Sequence, residues 1–193
     1  MRYKKPRDTD LIDAVESGES SSVNQSIWRV VREGRDPCQC SSSGGRWDDG
    51  SFEVLYTSQE KDGAIAEMYF HLRRGQPVVP SKPTYQTFEL QLNLDNVLNL
   101  GDEKLLSALS VDTENYGKMT YANRDKEYTR TQQIGETAQF LGFSGIVVPN
   151  ARWDCNNVVL FCDRLEGDDL EEIRDYGAID WTDWSSKSVA VLT

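Results

Sequence analysis

The chain has 193 residues, 38% of them apolar and 27% charged, with a net charge of −11 at pH 7. That length makes one domain with a real core the default, and no apolar run approaches the roughly 20 residues of a membrane span. The acidic balance argues against binding nucleic acid through a basic surface, which needs clustered Lys and Arg, but it allows a local basic pocket for a small anion.

The start, MRYKKPRDTD, is basic with no apolar stretch behind it, so it does not read as a secretory signal. Residues 1–26 read as an N-terminal arm, with a short helix over 11–16 and a loop around Gly18. IWRVV (27–31) is β-branched and aromatic and predicts a strand. REGRDPCQCSSSGGRWDDGS (32–51) has no periodicity and is rich in Gly, Ser and Asp. A loop this long inside a compact domain is more often functional than decorative. SFEVLYTS (51–58) alternates as a second strand. KDGAIAEMYFHLRR (61–74) predicts a helix whose apolar stripe is Ala64, Met68 and Leu72, with Glu67 beside it.

After a break marked by Pro77, Pro80 and Pro83, YQTFELQLNL (85–94) places Phe88, Leu90, Leu92 and Leu94 on one face of a half-buried strand. A short helix is predicted over 102–110, and residues 112–128 carry no clear pattern. TRTQQIGETAQFLG (129–142) predicts a helix with Ile134, Ala138 and Leu141 on one side and a stop at Gly142. GIVVPN and NVVLFCD are two buried strands with a short connection. From Asp163 to Asp183 there are nine acidic and two basic residues. This stretch predicts a solvated acidic extension that Trp181 and Trp184 pack onto the same domain. Strands and helices without a regular βαβ alternation favour an α+β fold: a single compact domain over 27–163, the arm 1–26 before it and the extension 164–193 after it.

Two counts prune the chemistry. His71 is the sole histidine, so no His-based zinc site can be built and any histidine triad must use it. The four cysteines, Cys38, Cys40, Cys155 and Cys162, lack the paired C-x2-C spacing of a zinc ribbon and are too few for a disulfide scaffold. They read as structural or free thiols in a reducing cytoplasm, with no metal site. The polar loop is bracketed by Arg29 and contains Arg46 after Gly44 and Gly45. Arginine forks match phosphate oxygens, so the loop suits a phosphate or pyrophosphate, although it matches neither G-x-x-x-x-G-K-[ST] nor a strand-to-helix G-x-G-x-x-G. Glu67, with Tyr56 on the neighbouring strand, suits a reaction that develops a sugar cation, the carboxylate stabilising the positive charge. A solvated glutamate and a packed tyrosine fit the same spacing.

Taken together, IWRVV, GGRWDDG, EVLYTS, AIAEMY, TQQIGETAQFLGFSGIVVPNAR and NNVVLF resemble, in order and spacing over residues 27–163, the RES-domain family. The resemblance implies a fold similar to that of ADP-ribosyltransferase toxins, with central mixed or antiparallel sheets and flanking helices. It also implies the toxin half of a toxin–antitoxin pair. Such a toxin consumes NAD as substrate, with no prosthetic group, by cleaving the nicotinamide–ribose bond as a glycohydrolase or phosphorylase. The implied partner is an Xre-type antitoxin that covers the NAD pocket; direct contact with nucleic acid or membrane is not implied. Carried over, Glu67, Arg46 and Tyr56 are the catalytic candidates, and Arg29, Arg46 and Tyr56 hold NAD. The family serine falls on Asn150 in the turn P-N-A-R, or near Thr129 to Thr131 at the helix start. Trp47 reads as packing. The alternatives are a mono-ADP-ribosyltransferase acting on a specific protein and a catalytically dead RES-like binding module.

Overall fold

A computed structural model of the chain describes residues 7–73, 83–118 and 124–188. Helix α1 (Thr9–Glu16) starts at Asp8, whose carboxylate accepts the backbone N–H groups of Asp10 and Leu11 and so caps the open helix end. Then come β1 (Ser20–Arg32), β2 (Val54–Ser58), α2 (Lys61–Arg73), β3 (Tyr85–Asn99), α3 (Glu103–Ala108), α4 (Arg124–Phe140), β4 (Gly145–Pro149), β5 (Asn156–Phe161), β6 (Leu170–Ala178) and α5 (Trp181–Ser188).

All six strands belong to one mixed sheet. β1 and β3 form its long antiparallel spine, from Ser20↔Leu98 to Arg32↔Tyr85. The other side of β3 is shared: its first half pairs antiparallel with β6 and its last residues pair parallel with β4. β4 pairs with β5 and β5 with β2, both antiparallel. β2 returns to β1 through the register pair Trp28↔Ser58, so the sheet closes on itself.

The alternation of β3 works as the sequence implies, with Phe88, Leu90, Leu92 and Leu94 all buried. It fails after Leu94 because the register shifts there: Ser21 faces Val97, but Val23 faces Leu94. Asn96 takes a positive φ of 57° in this bulge, which asparagine tolerates better than most residues. Val97 and Leu98 are then both buried, and Asn96 ties the bulge to the next element by donating from Nδ2 to the Gly142 carbonyl.

Several boundaries differ from the sequence reading. β1 reaches back to Ser20 inside the predicted arm, because β3 supplies a ladder that its serines do not advertise. α4 begins at Arg124 rather than Thr129. The acidic extension contains β6, an edge strand exposed along most of its length, and α5. Trp184 packs under α2 and donates Nε1–H to Asp62 at 2.8 Å, and Trp181 lies against the same cluster. The stripe expected on α2 is replaced by a buried first turn, Gly63 to Ala66, while Met68 lines a cavity.

The cysteine reading is corrected as well. Cys40 and Cys162 form a disulfide across 122 residues, and Cys38 and Cys155 are thiols. No helix of the described residues is long and apolar enough to cross a membrane.

Helix α4 seats the long loop between β1 and β2. A Cβ on Gly135 would overlap the carbonyl oxygen of Trp47, itself 2% exposed. An unconstrained helix glycine gains about 1 kcal/mol on becoming alanine. Gly135→Ala should instead lose about 1–3 kcal/mol, as overpacked sites do, read as a lower urea midpoint at unchanged slope. Equal or higher stability would mean that the loop does not sit on α4.

Candidate active site

The cavity has a volume of about 450 Å³, within the ~300–1,000 Å³ of small-ligand sites. It opens where β1 and β2 meet, so Trp28, Arg29 and Val30 line it from one strand and Tyr56, Thr57 and Ser58 from the other. The loop adds Gly44, Gly45 and Arg46; α2 adds Glu67 and Met68; the β4–β5 region adds Arg152 and Asn157.

The loop has few ladder partners, so side chains hold its backbone. Arg29 Nη1 donates to the carbonyls of Pro37, at 2.6 Å, and Gln39, at 3.0 Å. Thr131 Oγ1 donates to the Arg46 carbonyl at 2.6 Å. Gln132 Nε2 donates to the carbonyls of Gly45 and Asp48, at 2.8 and 3.1 Å. Tyr56 accepts the Trp47 N–H and donates its hydroxyl to Asp48 Oδ2 at 2.7 Å.

These placements give each group a charge state. Burial pushes Arg29 down to about 10, so it remains a cation at neutral pH. Burial, then the neighbouring Asp48 carboxylate, lifts the Tyr56 hydroxyl well above its ordinary value, so it stays a neutral donor. Burial likewise raises Asp48 against the opposing hydrogen bond from Tyr56. Arg46 lies over the rings of Tyr116 and Tyr128, 4.6 and 5.1 Å from their centroids. Both faces are aromatic quadrupoles that favour a cation there.

Glu67 sits on the other flank. Its Oε1 accepts the Ala151 N–H at 3.2 Å and Asn157 Nδ2–H at 3.4 Å. Asn157 is in turn oriented by Asn150, whose Nδ2 donates to Asn157 Oδ1 at 2.8 Å. The Asn150 Oδ1 accepts the N–H groups of Arg152 and Trp153 and shapes the turn. Arg152 stacks on Phe70, 3.3 Å from the ring centroid.

Of the residues expected at the site, Arg29, Arg46, Tyr56 and Glu67 line one cavity. Two do not. Asn150 is buried, with its amide used on the chain itself, and Thr129 is exposed on α4; neither lines the cavity. Thr131 is the threonine that reaches the loop, from behind, through the Arg46 carbonyl. His71, the sole histidine, also lines the cavity. Sequence reasoning missed Arg152, Asn157, Tyr116 and Tyr128. The first two stand in the segments NAR and NNVVLF, which offered a signal; the tyrosines lie in a stretch without periodicity. Among the described residues no group of three or more His, Cys, Asp or Glu side chains could hold a metal.

The sequence matches the RES domain family over residues 26–182, and the chain belongs to that family. No curated protein matches it in sequence. Its fold is similar to that of a chain in the crystal structure of the M. tuberculosis MbcT–MbcA toxin–antitoxin complex. The TM-score is 0.76 at 16% identity, covering 93% of this chain and 97% of the other.

Asp48 gives a pH signature. Its raised carboxyl holds a proton to higher pH in the folded chain than in the unfolded one. That contribution to stability is full below the unfolded carboxylate value of about 3.9 and is lost as pH rises through the raised folded value. Asp48→Asn removes the titration. Urea midpoints across this window should show the variant gaining on the wild type as pH rises; parallel curves would mean that Asp48 titrates as an ordinary carboxylate.

Proposed function

We propose that this member of the RES-domain family is the toxin half of a toxin–antitoxin pair and consumes NAD by cleaving its nicotinamide–ribose bond. The observation that carries this reading is one cavity holding a carboxylate on one flank and arginines from a strand and a loop on the other. The pyrophosphate of NAD would lie against Arg46 and Arg29, since guanidinium forks match phosphate oxygens. Tyr56 packs toward the nicotinamide. Glu67, fixed by the Ala151 N–H and Asn157, orients the nicotinamide ribose and faces the positive charge that develops at the anomeric carbon.

In this reaction the C–N bond breaks with its electron pair going to the ring nitrogen. The pyridinium leaves as neutral nicotinamide, so no strong acid is required. Water or inorganic phosphate then attacks the anomeric carbon. A catalytically dead module would be favoured if Asn150 stood for a lost ligand-binding serine; its hydrogen bond to Asn157, beside Glu67, supports a positioning role instead.

The MbcT–MbcA chain comes from a toxin–antitoxin complex, and a covering antitoxin is the partner proposed here. Against a chain of net charge −11, such a partner would present a basic contact face. The NAD pool it controls would be cytoplasmic.

The test is nicotinamide release from NAD, with and without phosphate, by the purified chain. Glu67→Gln keeps the shape and the acceptor for Ala151 but removes the charge. It should lower release about 10²–10³-fold, as loss of one preorganised stabilising group does. Arg46→Ala should chiefly raise KM. The sugar product, ADP-ribose or its 1-phosphate, names the acceptor. No release by folded wild type under either condition would overturn this reading, and label passing from NAD to protein would replace it with a transferase.

A further inference from the structure

The loop that walls the cavity is held at two separate places. Its tip, 44–48, is gripped by Thr131, Gln132 and Tyr56. Its first limb is held by the Cys40–Cys162 disulfide. Cys162 follows β5 directly and donates its N–H to the Glu53 carbonyl. Ser41, next to Cys40, exchanges two backbone hydrogen bonds with Val54. The same limb carries the Pro37 and Gln39 carbonyls that receive Arg29. One covalent bond therefore fixes both the loop entry and the acceptors that aim a cavity arginine.

Cys40 and Cys162 are each only partly buried, on the rim of the cluster that contains Leu55 and Phe88. The third cysteine of the region, Cys38, is a thiol. Burial and the nearby Asp36 raise its pKa, so at neutral pH it is a poor attacking group. Opening the disulfide thus falls to an external reductant.

We propose that Cys40–Cys162 is a redox-modification site for a dithiol reductant, and that its state decides whether the arginine-bearing wall of the cavity is fixed or loose. A thiolate of the reductant attacks one sulfur of the pair, forming a mixed disulfide and releasing the other cysteine as a thiolate, which takes up a proton. The second thiol of the reductant then displaces the remaining cysteine, also protonated. The protein gains two electrons and two protons, and the dithiol leaves as its own disulfide. In the reduced chain the limb at 36–41 is no longer ordered before the ligand arrives. Ordering it becomes part of the cost of binding, so an anionic nucleotide binds more weakly. This effect on ligand rests on the NAD reading above; the release of the wall does not.

The full chain is compared as isolated under non-reducing conditions, after treatment with dithiothreitol, and as Cys40→Ser/Cys162→Ser. Thiol titration in denaturant should count two free thiols, then four after reduction. Hydrogen exchange should rise over 36–41 in the reduced and doubly substituted chains while β4, β5 and α4 keep their protection. NAD affinity should fall about tenfold, a ~1.4 kcal/mol change. Four thiols before reductant, or unchanged exchange on reduction, overturns the proposal. Faster exchange with unchanged NAD affinity overturns the control of the cavity. If neither state binds NAD, the NAD reading fails on its own, and the exchange result still decides whether the disulfide holds the wall.

Discussion

The cavity depends on one constraint: a long loop without a helix or strand of its own must have its backbone carbonyls satisfied by side chains. Buried carbonyls that go unpaired are costly. Here the carbonyl partners are Arg29 on β1 and Thr131 and Gln132 on α4, which act as donors, while Tyr56 on β2 accepts the Trp47 N–H. Because each donor sits on a regular element, the loop inherits their rigidity, and Arg46 is presented to the cavity from a defined position. Gly135 belongs to the same constraint, since only a residue without a Cβ lets α4 come this close to Trp47.

The electrostatics follow from that arrangement. A chain of net charge −11 builds a cavity with three guanidinium groups, Arg29, Arg46 and Arg152. They hold together despite mutual repulsion because each is matched locally, Arg29 by carbonyl oxygens and the other two by ring faces. Carbonyl oxygens do not neutralise Arg29, so its charge acts inside a low-dielectric wall.

How much of this was legible depended on whether a residue's role was set by its own neighbours in sequence. The alternation of β3 and the apolar face of α4 were readable because burial follows the local period. β6 was not: it is an exposed acidic edge whose pairing is by backbone, so its side chains carry no strand pattern. The first half of β1 was lost for the same reason, as its serines form a strand only because β3 runs beside them. Arg29, Arg46, Tyr56 and Glu67 could be named from their motifs. Thr131, Asn150 and Asn157 act through contacts across the fold, and the Cys40–Cys162 pair joins positions 122 residues apart, which no spacing rule predicts.

The two flanks of the cavity are supported in different ways, and that separates binding from chemistry. Glu67 rises from α2, and its carboxylate is held by the Ala151 N–H and by Asn157, which Asn150 locks in turn. Gly63 lets that helix approach the same turn, since a Cβ there would crowd Ser58, Cys155 and Asn150. This flank is embedded in the sheet and in the buried first turn of α2. The arginine flank is a loop whose position rests on side-chain hydrogen bonds and one disulfide. On the proposed reading, a disturbance of the loop would therefore act first on how an anion is held, through Arg29 and Arg46. On the proposed reaction, a disturbance behind Asn157 would act first on where the Glu67 carboxylate stands. Asn150, read from its motif as a ligand-binding position, belongs by its contacts to the second group.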